Sequence, residues 1–388
     1  MALSGINILR QDGGLGRPLQ SNDGISGLLF YSDTALDANV NTGNLKLTSD
    51  LDIEAVLGIT GDTVAGGAVI AYHVSEYFRQ SQSTLYVNVV GSGNTDFSEI
   101  ISMKDFANGE IRQVGVYDTD EFDDSALTAI QELAEQAEAE YEPLQVVYSA
   151  PLVSGETVED LVDLKANNAY RVSYTIGEDV TEGSEAARLR TSGATLVGDL
   201  GTVMGSVSKA SVSDNIGWVS KFNLVGAEFQ DPGFIDGTTA SSKAKSLLNT
   251  LDGYAYIFLR KFVGSNGTYH SYSYTTTVET SDFQTIENNR TYDKAFRGIY
   301  ASLLPQVNSP LFVDDAGKLE AGTVAYFKTL AGSALKIMED SKELSGYLVD
   351  IDPDQNVLAT SKIEVTAKIQ PVGVAKTIEV KLGFTLQV

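Results

Sequence analysis

Four short runs, GISGLLFYS (24–32), TLYVNVV (84–90), IRQVGVY (111–117) and LQVVYS (144–149), are apolar at nearly every position, and segments with helical spacing separate them. A strand without a polar face is buried on both sides, and strands alternating with helices of this length pair in parallel beneath helix-covered faces. Residues 23–282 therefore read as an α/β domain with a mixed sheet. The spacing predicts a helix capped by Asp62 that sets Ile70, Ala71, Val74, Tyr77 and Phe78 on one face. It predicts a second helix from Ser125 to Tyr141, with Leu127, Ile130, Leu133 and Ala137 inward, and a short third one from Val158 to Ala166 before the strand YRVSYTI (170–176). A looser stretch, 184–252, holds a further helix and the lone Trp218. GYAYIFLRKF, the turn GSNG and TYHSYSYTTT close the domain as a hairpin.

After residue 282 the pattern changes. Asn289 to Leu304 and Gly322 to Leu344 read as helices, the second with Val324, Phe327, Ala331, Leu335 and Met338 at helical spacing. Three strands follow, SGYLVDI, TSKIEVTAKIQ and the terminal KTIEVKLGFTLQV, which makes this part an α+β module. In the terminal segment Ile378, Val380, Leu382, Phe384, Leu386 and Val388 alternate with Thr377, Glu379, Lys381, Gly383, Thr385 and Gln387, the period of a strand with one buried face. It either closes a hairpin with Lys362 to Gln370 across PVGVA or pairs with another chain. The hairpin would still leave an outer edge to cover. At the other end Ile6 and Ile8 share a face of a short strand, and Gly13, Gly14 and Gly16 follow as a hinge. The predicted organisation is an N-terminal arm (1–22), the α/β domain (23–282), the α+β module (283–375) and a C-terminal strand arm (376–388).

The net charge is -25, from 52 acidic against 27 basic side chains. That balance opposes binding to a phosphate backbone, and the close basic pairs Arg188/Arg190 and Arg260/Lys261 read as solvated faces, so no nucleic-acid partner is expected. The chain has no cysteine, which removes disulfides, thiolate metal sites and cysteine nucleophiles. MALSGINILRQDGG lacks the basic and apolar regions of a signal peptide, and the longest apolar run, Val64 to Tyr72, contains two glycines and is too short to span a bilayer. The expectation is a chain made and folded in the cytoplasm, without membrane insertion.

Chemistry is sparse. DTDEFDD (118–124) and DIDPDQN (350–356) are the densest carboxylate groups. The second has the alternating oxygens of a calcium loop, yet Gln355 stands at the turn glycine and Ser361 at the bidentate glutamate. A helix N-terminus at Asp123/Asp124 and a turn around Pro353 account for both groups. His73 and His270 are far apart in sequence and read as structural. GDLGTVMG (198–205) reads as a close-packing helix face, not a phosphate cradle. No catalytic residue, metal ligand or cofactor is predicted.

In order along the chain, NDGISGLLFYS, AYHVSEYFRQSQSTLYVNVV, NNRTYDKAFRGIYASLLPQVNSPLFVDDAGKL and SGYLVDIDPDQNVLATSKIEVTAKIQPVGVAKTIEVKLGFTLQV resemble the sheath proteins of contractile phage tails and related contractile injection systems. The last two cover nearly all of the final hundred residues; the middle matches only in layout. TYHSYSYTTT departs from the family, where many sheaths carry a Trp-Gly-containing strand. The resemblance implies a structural subunit, not an enzyme, that polymerises helically around an inner tube and contracts to drive the tube through a target envelope. It implies strand exchange between subunits through both arms, with Ile6, Ile8 and the six alternating C-terminal residues as contacts. Implied partners are further copies of the chain, the tube protein, and baseplate and terminal cap proteins, in a virion tail or injection particle assembled in the bacterial cytoplasm. Lys328 and Lys336 on the 322–344 helix are candidate tube contacts or simply a solvated polar face. Two other classes stay open: a surface-layer or adhesin-like protein, which the acidity fits but the missing export signal does not, and an α/β enzyme, which would need a site not found here.

Because neither Asp-rich turn has a complete ligand set, chelation is expected to leave the state of assembly unchanged. Light scattering with and without EDTA checks this, and disassembly rescued by calcium alone would make DIDPDQN a metal site.

Overall fold

A computed structural model, describing residues 22–32, 36, 38–60, 65–91, 96–226, 228–315 and 317–384, sets the four apolar runs side by side. The chain runs through β1 (Ser26–Tyr31), β2 (Gly43–Leu47), α1 (Asp52–Ala55), α2 (Ala65–Gln80), β3 (Leu85–Val90), α3 (Glu99–Phe106), β4 (Gln113–Tyr117), α4 (Asp124–Ala139), β5 (Gln145–Ser149), β6 (Val172–Thr175), β7 (Gly177–Asp179), α5 (Glu185–Thr191), α6 (Leu200–Lys209), β8 (Pro232–Phe234) and α7 (Lys245–Gly253). It continues through β9 (Tyr256–Ile257), β10 (Leu259–Lys261), β11 (Thr268–His270), α8 (Ile286–Leu303), α9 (Ala321–Asp340), β12 (Leu344–Asp350), α10 (Val357–Thr360) and β13 (Thr366–Pro371). The central sheet has seven strands in the order β2-β3-β1-β4-β5-β6-β9. All its pairs are parallel except β2 against β3, so the sheet is mixed, as expected. Strand β2 was not foreseen: its GNLKL sequence is half-exposed and lies at an edge.

Helices α3 and α4 cover one face, while α2 and α6 stack on each other over the opposite one. The α2–α6 contact is backbone to backbone, because a Cβ on Gly201 would lie 2.2 Å from the His73 carbonyl oxygen and one on Gly205 2.8 Å from that of Tyr77. GDLGTVMG is thus the packing face its glycines suggested. Both histidines are fully buried beneath this contact, and burial pushes each down to about 3. His73 Nδ1 accepts a hydrogen bond from Gly201 N (3.1 Å). His270 Nδ1 lies 3.8 Å from Asp199 Oδ2, and Thr175 Oγ1 donates to Asp199 Oδ1 (2.6 Å).

The α+β module stacks α8 and α9 on the antiparallel pair β12/β13, around Val212, Ala295, Leu335, Met338 and Leu344. Phe327 and Ile351 anchor a second cluster beside it. Helix α9 stops at Asp340, short of Leu344, because Lys342 takes a left-handed φ of 61° and turns the chain into β12.

Two further expectations are corrected. Val158 to Ala166 is not a helix. Asp160 Oδ2 accepts from Thr157 N (3.0 Å) and Thr157 Oγ1 (2.9 Å), closing a turn that competes with helical bonds, and only a single tight turn, Leu164–Asn167, follows. The antiparallel pair of the module is β12/β13, joined through α10. Residues 377–384 belong to no ladder, so the hairpin across PVGVA does not form. The cap expected at Asp62 lies outside the described residues. Among the described residues no helix is long and apolar enough to cross a membrane.

Burial raises Asp199 from an ordinary 3.8 to about 7. Between those values the folded chain holds a proton there that the unfolded chain releases, so this carboxyl's contribution to stability falls as pH rises through the window. Relative to the parent, Asp199→Asn is expected to gain ~1.4 kcal/mol per pH unit from about pH 4 to about pH 7, read from urea unfolding at a series of pH values.

Candidate assembly surface

Helix α8 serves two surroundings. Its first half, Glu287, Asn289, Arg290, Thr291 and Asp293, is polar yet buried against the α/β domain. Such a face is stable only where its polar groups are largely paired, and Asn289 Oδ1 and Arg290 Nε find no partner among the described residues. Asp293 takes both terminal nitrogens of Arg171, just before β6, at 3.0 and 3.2 Å, with the two side chains 1 and 2 % exposed. Glu138 on α4 is the second acid on that guanidinium (3.0 Å). Asn289 Nδ2 donates to the Tyr170 and Phe283 carbonyls, both at 2.9 Å. Arg290 donates to the carbonyls of Ala210 and Asp23, and Lys294 bridges Asp23 (2.6 Å) and Glu343 (2.8 Å). Glu287 accepts from Asn215 and Ser273, and burial raises its carboxyl above the usual range. One helix thereby ties the α+β module to the sheet.

From Tyr292 onward α8 turns one apolar side outward, while Ala295 and Gly298 pack against α9. Tyr292, Phe296, Ile299, Tyr300, Leu303 and Leu304, with Tyr141 from the end of α4 and Ala367 and Ile369 from β13, line an open groove of about 410 Å³. Tyr141 and Tyr300 stack at 4.7 Å along it. The groove runs beside β13, which among the described residues pairs only with β12 and is exposed along most of its length. Beyond β13 the expected exchange residues Ile378, Val380, Leu382 and Phe384 are 76 to 111 % exposed. Among the described residues, nothing covers the groove or pairs with the outer flank of β13, and the alternating segment beyond it is exposed.

Leu386 and Val388, the arm residues Ile6 and Ile8, and the hinge Gly13, Gly14 and Gly16 lie outside the described residues. Lys328 pairs with Asp350 (2.8 Å) and Lys336 with Asp340 (2.7 Å) and Glu339 (3.1 Å) on the exposed side of α9. Exposed pairs of this kind contribute little and exchange readily.

The places where chemistry was sought are otherwise occupied. Among the described residues, Asp105, Glu140 and Glu142 converge closely enough to hold an ion, but Lys104 Nζ already stands 2.6–2.8 Å from all three. In the 350–356 turn Asp350 and Asp354 face separate lysines, Lys328 and Lys318. The crevice between β1 and β4, where a doubly wound sheet offers its ligand site, is narrowed by Phe30, Val69, Ile70 and Tyr117 to about 20 Å³, room for one water. Sequence reasoning missed Arg171, Asp293 and the groove. The available signal was NNRTYDKAF, where polar residues occupy the positions a helix normally gives to its core.

The family description DUF2586, N-terminal domain, matches residues 3–273, and DUF2586, C-terminal domain, matches residues 282–388. No curated protein matches the sequence. Among solved structures, the contracted helical sheath of the anti-feeding prophage (AFP) aligns with a TM-score of 0.64 at 15 % identity, covering 100 % of both chains. The contracted PVC sheath complex of an extracellular contractile injection system aligns at 0.64 and 14 %, over 100 % of this chain and 99 % of its own. The sheath tail protein of Desulfitobacterium hafniense aligns at 0.54 and 10 %, over 95 % of this chain and 100 % of its own. At such identities the likeness is one of fold, and at that level the resemblance read from the sequence holds over the whole chain.

The buried pair gives a test of the joint. Asp293→Ala leaves Arg171 a single acid, Glu138, among the described residues and is expected to cost toward the low end of ~3–5 kcal/mol, whereas Arg171→Met with Asp293→Leu should cost less than Asp293→Ala or Arg171→Met alone. Denaturant midpoints of the three variants check the order.

Proposed function

The chain belongs to the DUF2586 family, and we propose that it is a structural sheath subunit, not an enzyme. In this reading it polymerises into a helical cylinder around an inner tube and contracts to drive the tube through a target envelope. The observation that carries the reading is the unpaired strand flank and apolar groove of the α+β module beside an alternating segment with its apolar side chains in solvent. Strand addition uses those parts: main-chain groups pair along an open edge while alternate side chains fill an apolar trough.

The C-terminal arm (376–388) of one copy would add beside β13 of another, with Ile378, Val380, Leu382, Phe384, Leu386 and Val388 toward the groove. Burying six such side chains contributes on the order of 9 to 18 kcal/mol gross, at roughly 1.5 to 3 each, before ordering entropy. The N-terminal arm (1–22), through Ile6 and Ile8 and hinged at Gly13, Gly14 and Gly16, would supply the second link that makes a mesh. The α/β domain (23–282) and the α+β module (283–375), tied together by α8, would move as one nearly rigid body, and the energy of contraction would lie in the difference between two lattice packings. Lys328 and Lys336, whose present partners are exposed, would face the tube. Baseplate and terminal cap proteins complete the partners, in a virion tail or injection particle assembled in the bacterial cytoplasm.

Negative-stain microscopy of the purified chain is expected to show hollow striated cylinders; flat lattices or monodisperse particles would replace this reading. Deleting Thr377 to Val388 should leave a monomer with a normal thermal transition that does not polymerise. Loss of that transition would put the segment in the subunit's own core.

A further inference from the structure

The C-terminal segment leaves the body at a defined point. Strand β13 ends at Pro371 on the α+β module, and the chain then crosses to the α/β domain through a tight turn in which Lys376 N donates to the Val374 carbonyl (3.2 Å). There the Lys376 ammonium meets three side chains. It donates to Asp252 Oδ2 (2.6 Å) and to Tyr274 Oη, and it lies 5.0 and 4.7 Å from the ring centroids of Tyr272 and Tyr274. The two rings stand 4.7 Å apart, and Tyr274 Oη also donates to Asp252 Oδ2 (3.4 Å). Two aromatic faces and a carboxylate around one ammonium form a cation box. Asp252 stands in the last turn of α7, where an acid opposes the helix dipole and a cation beside it restores the balance. Two residues further on, Ile378 is 80 % exposed.

We propose that Asp252, Tyr272 and Tyr274 are an ammonium clamp for Lys376, which makes the α/β domain, and not the end of β13, the origin from which the C-terminal arm departs. The proposal rests on reading residues 377–388 as an arm, and it adds which body aims it. Both tyrosines come from TYHSYSYTTT, the stretch in which this sequence departs from the sheaths it resembles, so the clamp belongs to this chain's own version of the strand. Held at Lys376, the arm follows every rotation of the α/β body directly. Released, it would hang from Pro371 by a slack five-residue link.

The absence of native cysteine allows the origin to be measured on the unassembled subunit, taken from the monomer peak of gel filtration. Spin labels are placed by Ile378→Cys on the arm and by Glu132→Cys on the exposed face of α4, and their distance distribution is recorded by pulsed electron resonance. The label is two residues beyond Lys376 and seven beyond Pro371. Since the spread of a flexible tether grows as the square root of its length, Lys376→Met should widen the distribution about twofold, by roughly √(7/2). Asp252→Asn should widen it in the same direction, and Lys376→Arg, which keeps the charge over the rings, should stay near the parent. A distribution in Lys376→Met as narrow as the parent's, or a parent already as broad as the variant, overturns the clamp. Because the measurement is made before assembly, its outcome is independent of whether the chain forms cylinders; failure to form cylinders with a narrow parent distribution would overturn the sheath reading and leave the clamp standing.

Discussion

The buried ion pair between Arg171 and Asp293 fixes the geometry on which the remaining surface depends. With both side chains removed from water, the pair is tolerated only because the contact is bidentate and because Glu138 and the Leu144 carbonyl take the remaining guanidinium donors. Around it Asn289, Arg290 and Glu287 satisfy backbone and side-chain groups of the α/β domain, so the first half of α8 is seated by directional bonds and cannot slide as a greasy contact could. The second half of the same helix carries the groove. Groove, β13 flank and central sheet are therefore held as one body, and a strand laid along β13 is oriented with respect to the sheet.

How much of this was legible follows from what each element depends on. The buried strands and α4 were readable because their burial is written as period and composition, which need no tertiary information. So were the close-packing glycines of α6, since no side chain competes for that space. Strand β2 escaped because a half-exposed edge needs little apolar sequence, and Val158 to Ala166 misled because a Thr157–Asp160 turn outcompeted the helical spacing. The α8 joint was hidden by a different cause. Asn289, Arg290 and Asp293 look like a solvated face, and only the approach of Arg171, more than a hundred residues earlier, turns them into a core. The Lys376 box likewise joins three separate stretches of chain and leaves no local signature.

In the terminal segment the structure departs from the sequence pattern. Its alternation predicts a half-buried strand, and in the single chain it is neither a strand nor buried. A pattern that specifies one apolar face, with no described residue of its own chain covering that face, would be the condition under which strand addition from another molecule lowers the free energy most.

Charge sharpens the point. A chain with a net charge of -25 repels its own copies, and at ordinary ionic strength that repulsion acts over about 8–10 Å. Broad nonspecific association between bodies is thereby opposed, while a thin arm whose polar side chains carry one acid, Glu379, and one base, Lys381, would cross the gap at little electrostatic cost. In the proposed cylinder the arms would then carry cohesion and the acidic bodies would set spacing. Contact between bodies would have to be driven by what the two lattice packings bury, and adhesion along the way would be resisted by like charge. A subunit built this way would be kept from random aggregation by the same acidity that would favour assembly through its strands.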